Sequence, residues 1–230
     1  MSAVLGADAC KGGWVGVVPH EGSAQALFGA HIGLLVERAT ALAGPLAAVA
    51  VDIPIGLPTR GRRRADAEAA RALGPRRSSV FRTPVRAALE AGTYALAAAA
   101  NRELAGEGVS AQAYALREKA LEVDAWLRSG THPDVREAHP ELSFAALAGA
   151  PLAYPKRTWN GMNARRGLLE AVGIVLGDAL GEAGERAAVD DVLDAAAVAW
   201  TASRIARREA HSLPGPPETL EDGTACAIWC

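Results

Sequence analysis

The chain has 230 residues, of which half are hydrophobic, and its formal net charge at pH 7 is −2. This balance excludes a disordered chain, and the length is sufficient for one domain that contains an insertion. No apolar run is long enough to span a bilayer, and no leader precedes the first predicted strand, so we expect no membrane segment. Three cysteines without metal-type spacing favour a reducing, cytoplasmic compartment.

Apolar runs predict four strands in the first part of the chain, at residues 3–8, 14–18, 25–30 and 47–53. Gly12 and Gly13 predict a hairpin turn between the first two strands. A helix is predicted at residues 31–43, where Gly44 and Pro45 end it. The opening order is therefore three strands, a helix and a strand.

The composition changes after this region. Residues 63–128 are rich in alanine, leucine, arginine and glutamate, and their glycine and proline breaks predict about three helices. We interpret residues 60–130 as a helical insertion in a single domain of residues 1–230. Further elements are predicted beyond it: strands at 134–139 and 224–229, and helices at 141–147, 163–176 and 190–208.

Acidic residues occur at three separated apolar segments. Asp8 lies in the first predicted strand, Asp52 ends the fourth, and Asp191 and Asp194 lie three apart on the last long helix. A carboxylate in an apolar segment is unfavourable unless a cation compensates it, so the set predicts a shared divalent metal site. Two-metal phosphoryl chemistry needs such oxygen ligands around ions about 4 Å apart. Each residue alone also fits a simpler role in a turn or a helix cap.

A basic segment follows the fourth strand. Nine arginines between Arg60 and Arg86 face only Asp66 and Glu68, a local excess of seven positive charges. Such a segment could bind a phosphate backbone, and its candidate substrate contacts are Arg76, Arg77, Ser78 and Ser79. The alternative is a solvated helix face whose arginines pair with nearby acidic residues.

A third group is Glu137-Ala138-His139-Pro140-Glu141. A histidine between two glutamates could complete a metal shell or transfer a proton, and we assign Glu141 as a candidate catalytic residue and His139 as a candidate substrate contact. The alternative is a strand end followed by a helix that begins at Pro140. Lys11 and Lys156 are further candidate contacts for an anionic substrate, with Arg157, Arg165 and Arg166 close to the second.

Five motifs resemble domain-of-unknown-function family 429, a family described as predicted ribonuclease-H-like nucleases. They are residues 6–14, 52–58, 76–81, 137–141 and 191–195. The resemblance implies an α/β ribonuclease-H-like core of three antiparallel strands, a helix and further parallel strands. It also implies Mg²⁺ or Mn²⁺ held by Asp8, Asp52, Asp191 and Asp194. Asp52 stands where nucleases of that superfamily more usually have glutamate.

We therefore expect a metal-dependent nuclease that hydrolyses phosphodiester bonds, with nucleic acid or another phosphoester as its partner. Two alternatives stay open. One is a nucleotide-dependent phosphotransferase of the actin and sugar-kinase type, because the glycine-containing turn at residues 8–13 could bind phosphate through its amides. The other is a non-catalytic module that binds nucleic acid or an acidic partner. The sequence assigns no oligomeric state.

Overall fold

The structure is a computed structural model that describes residues 2–230. It divides into two compact units. The first unit holds the described residues up to Asp52, together with Thr131–His211 and Trp229–Cys230. The second unit holds Ile53–Gly130 and Ser212–Ile228. All the acidic residues predicted as metal ligands therefore belong to the first unit.

Seven strands are found among residues 2–230. They are β1 Ala3–Cys10, β2 Gly13–His20, β3 Ser23–Gly29, β4 Leu46–Val51, β5 Val135–Ala138, β6 Ser212–Thr219 and β7 Ala225–Trp229. The strands of the first unit are ordered β3-β2-β1-β4-β5. β1 pairs with β2, and β2 with β3, in antiparallel fashion, whereas β4 is parallel to both β1 and β5. This confirms the predicted change from antiparallel to parallel pairing.

The α-helices found among residues 2–230 are α1 Ile32–Ala43, α2 Arg64–Leu73, α3 Arg86–Leu89, α4 Tyr94–Ala105, α5 Ala111–Ala115, α6 Arg117–Arg128, α7 Pro140–Ala148, α8 Trp159–Ala171, α9 Gly181–Arg186 and α10 Val189–Ala206. A 3₁₀ helix spans Gly74–Ser79. α2 to α6 lie in the second unit, where the sequence predicted about three helices. No helix within residues 2–230 combines the length and apolar character needed to cross a membrane.

Two elements outside residues 60–130 were not predicted. α9 has six residues, too few to show a helical pattern. β6 reads Ser-Leu-Pro-Gly-Pro-Pro-Glu-Thr, and three prolines argue against a strand because proline cannot donate to a ladder. β6 is the last strand in the order, with β7 beside it, and an edge strand tolerates the missing donors.

α10 packs directly on the centre of the first unit's sheet, against β1, β2 and β4. Alanines dominate its buried face, so the helix backbone can approach the strands closely. Gly6 of β1 is the closest point: a Cβ atom there would lie 2.1 Å from the amide nitrogen of Ala199 and 2.2 Å from the carbonyl oxygen of Ala195. Only glycine fits this contact, which fixes the C-terminal helix on the first strand.

Candidate active site

Asp8 and Asp52 lie at the same edge of the sheet because they belong to neighbouring parallel strands. Asp8 is the third residue from the end of β1, and Asp52 directly follows β4. Ala7 is in register with Val51, and the amide of Asp52 donates a hydrogen bond to the carbonyl oxygen of Ala7 at 2.9 Å. The carboxyl ends of parallel strands meet at one edge, which is where ligands bind to open α/β sheets.

α10 adds a third carboxylate. Asp194 lies on its first turns and is 2% exposed, while Asp8 is 7% exposed. The close contact between Gly6 and the backbone of α10 places Asp194 beside β1. The structure therefore brings together Asp8, Asp52 and Asp194, which are far apart in the sequence.

The electrostatics of the three carboxyls show that they interact. Burial raises the pKa of Asp8 well above its ordinary value, and the negative charges of Asp52, Asp194 and Asp191 raise it further. The pKa of Asp52 rises to about 7, chiefly through burial, against the opposing charge of Lys156. The pKa of Asp194 also rises to about 7, chiefly through burial, although the charge and hydrogen bond of Lys156 act to lower it. A group of buried carboxyls that repel one another favours a cation.

Lys156 provides one positive charge at this site. Its ammonium donates a hydrogen bond to Oδ2 of Asp194 and lies 3.6 Å from Oδ2 of Asp190. Burial disfavours the charged amine, but the carboxylates of Asp194 and Asp8 outweigh burial and raise the pKa of Lys156. Lys156, predicted as a substrate contact, is therefore the internal counter-ion of the cluster in this structure.

The donor set fits a hard divalent cation. Oδ1 of Asp194 is buried without a hydrogen-bond partner among residues 2–230, and so is Oε2 of Glu141. Carboxylate oxygens are the ligands that Mg²⁺ and Mn²⁺ prefer. Within the described chain no three His, Cys, Asp or Glu side chains adopt the arrangement of a metal-binding group. Here Oδ2 of Asp194 is bonded to the Lys156 ammonium, and Oδ1 is the oxygen left for an ion.

The other two acidic residues of α10 have different partners. Oδ2 of Asp191 accepts a hydrogen bond from the amide of Ala188 at 3.3 Å, which is the helix-capping role that the sequence left open. Asp190 accepts one from Arg157 at 3.0 Å. Burial acts to raise the pKa of Asp190, but Arg157 and Lys156 outweigh it and lower the pKa. Asp191 is near enough to raise the pKa of Asp8 and of Asp52.

The Glu137 to Glu141 segment passes from β5 into α7. Glu137 is 5% exposed at β5 and contributes to the raised pKa of Asp52. His139 is the residue before α7, and Pro140 is the first residue of the helix, as in the helix-start alternative. Oε1 of Glu141 accepts a hydrogen bond from Arg165. Glu141 contributes to the raised pKa of Asp194, so it belongs to the rim of the same cluster.

Arg165 has a role that the sequence did not indicate. The sequence placed it among the possible substrate contacts, but its side chain is 1% exposed. Besides the bond to Glu141, its Nη1 donates to the carbonyl oxygens of Tyr154 and Gly161 at 3.2 and 3.1 Å. Arg165, on α8, therefore connects α7 with the loop that contains Lys156. Its buried contacts hold that loop in place beside the carboxylate cluster.

The remaining predicted substrate contacts lie in the turn between β1 and β2 and in the second unit. Lys11 is exposed in the turn between β1 and β2. The other four lie in the second unit, on the 3₁₀ helix Gly74–Ser79: Arg76, Arg77, Ser78 and Ser79. Ser79 Oγ donates to the carbonyl oxygen of Arg76 at 2.9 Å. Their contact with a substrate stays a prediction.

Ion pairs account for much of the basic segment. Arg62 and Arg82 both pair with Glu107, and Arg86 pairs with Asp124 at 2.7 Å. Arg63 and Arg64 pair with Asp66 and Glu68, so five of the nine arginines have acidic partners within the second unit. The ion-pair alternative is therefore found for these five residues.

A family model described as "Protein of unknown function (DUF429)" matches residues 6–219. A search of curated proteins and a search of solved structures gave no match. The matched region includes every acidic residue of the cluster, from Asp8 to Asp194, and covers most of the 230 residues. The chain therefore belongs to domain-of-unknown-function family 429.

Proposed function

We propose that this protein is a metal-dependent hydrolase of phosphodiester bonds, a nuclease with a ribonuclease-H-like core. The observation that carries the proposal is the meeting of Asp8, Asp52 and Asp194, contributed by the first strand, the end of the fourth strand and the C-terminal helix. The strand pairing supports it, since three antiparallel strands followed by parallel ones is the order that the family resemblance implies.

Asp8, Asp52 and Asp194 would hold Mg²⁺ or Mn²⁺, with Oδ1 of Asp194 as the unpartnered oxygen available to it. When bound, such an ion polarises a phosphoryl oxygen and lowers the pKa of a water molecule. The pKa values of Asp52 and Asp194, both near 7, mean that these carboxyls are partly protonated at neutral pH. Both carboxyls would have to lose their protons to serve as metal ligands.

Lys156 contributes a charge that does not depend on the metal. Its raised pKa keeps the ammonium protonated at neutral pH. An ammonium at this position can stabilise negative charge that develops on the oxygens of a phosphodiester in the transition state. The buried contacts of Arg165 hold the loop at Tyr154 and thereby fix where this ammonium lies.

The test is the Asp8→Asn variant, assayed with labelled single-stranded and duplex DNA and RNA in Mn²⁺. We expect the wild type to cleave at least one of these substrates and the variant to lose cleavage by about a hundredfold or more, because a neutral amide is a poor ligand for a hard cation. The matched control is Asp178→Asn, at an exposed position, which should cleave like the wild type.

Circular dichroism must show that Asp8→Asn is folded. Its melting temperature without metal should equal or exceed that of the wild type, because one of several mutually repelling carboxylates has been removed. A folded variant that cleaves as fast as the wild type would exclude Asp8 from the chemistry and overturn the proposed mechanism.

A further inference from the structure

An exposed tryptophan lies next to the carboxylate cluster. Trp159 is the first residue of α8 and is 73% exposed. It lines a cavity of about 320 Å³ whose other lining residues are Lys156, Arg157, Thr158, Met162, Val189 and Asp190. Lys156 is also the counter-ion of Asp194, so one wall of this cavity is shared with the cluster. An aromatic surface, two cations and the proposed active site are therefore contiguous within the first unit.

The backbone around Trp159 is held rigidly. Thr158 caps α8 by accepting a hydrogen bond from the amide of Gly161 at 3.1 Å, and its hydroxyl donates to the carbonyl oxygen of Pro155 at 2.8 Å. A Cβ on Gly161 would lie 1.9 Å from that same carbonyl oxygen, so loop and helix are in close contact. Buried Arg165 fixes the loop again, at Tyr154. The backbone position of Trp159 relative to the loop that carries Lys156 is thus set by the fold.

The contacts of Trp159 within residues 2–230 do not explain why so large an apolar side chain is exposed. Within residues 2–230 its ring forms no aromatic or cation–π pair, whereas the rings of Tyr114 and Trp229 each lie under an arginine guanidinium. An exposed tryptophan costs free energy in water, because a large apolar area is left unburied. The neighbouring Arg157 pairs with Asp190, but its side chain is 83% exposed, so its positive charge is also accessible from solvent. A ligand that covers the ring and carries negative charge satisfies both groups.

An unpaired nucleotide has this combination of groups. Its base offers a flat face that stacks on an aromatic ring, and its phosphate pairs with a neighbouring cation. A base inside a duplex already has both faces covered by its neighbours, so the ring can receive only a base that is unpaired or displaced from the stack. Because the backbone of Trp159 is held beside Lys156, a base stacked on its ring would lie next to the phosphate that would enter the cluster.

We propose that Trp159 is a stacking platform for an unpaired base and that Arg157 contacts an adjacent phosphate, so that the substrate is a single-stranded nucleic acid. This inference rests on the proposed function, because it names the substrate class of the same site. It predicts that binding depends on bases as well as on phosphates.

The experiment compares an ordinary single-stranded oligonucleotide with one of equal length that is abasic throughout. Fluorescence anisotropy measures binding in Ca²⁺ in place of Mn²⁺, with the strand checked for integrity on a gel. The variants are Trp159→Ala and Trp159→Phe. The control is Leu96→Ala, which removes an exposed large apolar side chain in the second unit, 61% exposed.

We expect Trp159→Ala to bind the ordinary strand about fivefold to a hundredfold more weakly than the wild type does, the range measured for loss of one base–aromatic stack. Trp159→Phe should keep most of the affinity because it retains a ring. Binding of the abasic strand should be equal in the wild type and in both variants. Unchanged binding of the ordinary strand by Trp159→Ala, or an equal loss on the abasic strand, would overturn the inference.

Two further outcomes separate this inference from the proposed function. A wild type that cleaves in Mn²⁺, with Trp159→Ala binding and cleaving identically, overturns the stacking platform alone. Base-dependent binding through Trp159 without cleavage under any metal supports the platform and overturns the nuclease.

If light scattering shows a wild-type dimer and a monomeric Trp159→Ala variant, a second copy of the chain covers the ring, and the inference is wrong.

Discussion

The ammonium of Lys156 donates a hydrogen bond to Oδ2 of Asp194, whose Oδ1 has no hydrogen-bond partner among residues 2–230. One carboxylate therefore has an oxygen bonded to a protein cation and an oxygen available for an external one. Because both cations would share this carboxylate, they must repel each other. The proposed metal ion would consequently bind with an affinity that depends on Lys156 as well as on the acidic residues.

This relationship predicts the effect of removing the ammonium. Lys156→Met keeps the length of the side chain but loses its charge, and we expect Mn²⁺ to bind about tenfold more tightly, since one repelling charge at contact distance contributes on the order of 1–4 kcal/mol. Cleavage should nevertheless fall, because the charge that stabilises the phosphodiester oxygens is lost. Titration calorimetry measures the first effect and single-turnover cleavage the second.

Lys119→Met, in the second unit, is the control. Weaker Mn²⁺ binding by Lys156→Met would show that Lys156 supports the ligands rather than competing with the ion.

The raised pKa values predict how stability depends on pH without metal. Asp52 and Asp194 have pKa values near 7 in the folded chain, against about 3.9 when unfolded. Between those values the folded state binds more protons than the unfolded state, so the free energy of unfolding falls as pH rises from about 4 and levels off above about 7. Each carboxyl contributes a slope of at most about 1.4 kcal/mol per pH unit.

Urea denaturation in EDTA at pH 5, 6, 7 and 8 measures this dependence. Asp194→Asn should have a shallower slope than the wild type, and saturating Mn²⁺ should restore stability most at pH 8, where the carboxylates are ionised. The pKa of Asp222 is lowered to about 2. This carboxyl therefore makes the free energy of unfolding rise with pH, but only below about pH 4. A wild type without metal that becomes more stable from pH 5 to pH 8 would contradict the carboxyl cluster.

Gly6 predicts a link between core packing and metal binding. Gly6→Ala places a methyl group 2.1 Å from the amide nitrogen of Ala199, so α10 must move away from β1. We expect a loss of about 1–3 kcal/mol in the free energy of unfolding and weaker Mn²⁺ binding, because Asp194 moves with the helix. Gly167→Ala on α8 is the control: its methyl meets open space and should stabilise the helix by about 0.5–1 kcal/mol. If Gly6→Ala is destabilised but binds Mn²⁺ as the wild type does, the packing of α10 on β1 does not control metal binding.

Arg165 predicts a contrast between two neighbouring arginines. Arg165→Met leaves the buried carboxylate of Glu141 unpaired and releases the carbonyl of Tyr154, so we expect a loss of about 3–5 kcal/mol in the free energy of unfolding. Arg166→Met removes an exposed pair with Glu170 and should cost less than about 1 kcal/mol. Urea denaturation at pH 7 compares the two. Equal losses would show that Arg165 does not anchor the loop.

The sequence allowed much of the first unit to be predicted. β1 and β4 are nearly continuous apolar runs, so both strands could be predicted, with Asp8 in the first and Asp52 at the end of the fourth. The choice among Asp190, Asp191 and Asp194 could not be made, because all three fall within about one helical turn. In the structure the three differ in their partners, which are Arg157, the Ala188 amide and Lys156 respectively.

The contacts that escaped prediction join residues distant in the chain through segments without periodicity. Lys156 lies in an irregular loop, and nothing in the surrounding residues indicates that its ammonium turns inward to Asp194. The excess of arginine after β4 suggested a substrate surface, but Glu107 and Asp124, outside that segment, neutralise part of it. Local charge counting cannot include partners that only the tertiary fold supplies.

The close contact between Gly6 and α10 also determines when the site can form during synthesis. β1 leaves the ribosome before α10, and the second unit's helices are made between them. A nascent chain with Asp8 and Asp52 but not yet Asp194 has an incomplete carboxylate cluster and an uncovered sheet face. Translation order thus delays assembly of a centre proposed to attack phosphodiesters until α10 has been synthesised beside messenger RNA.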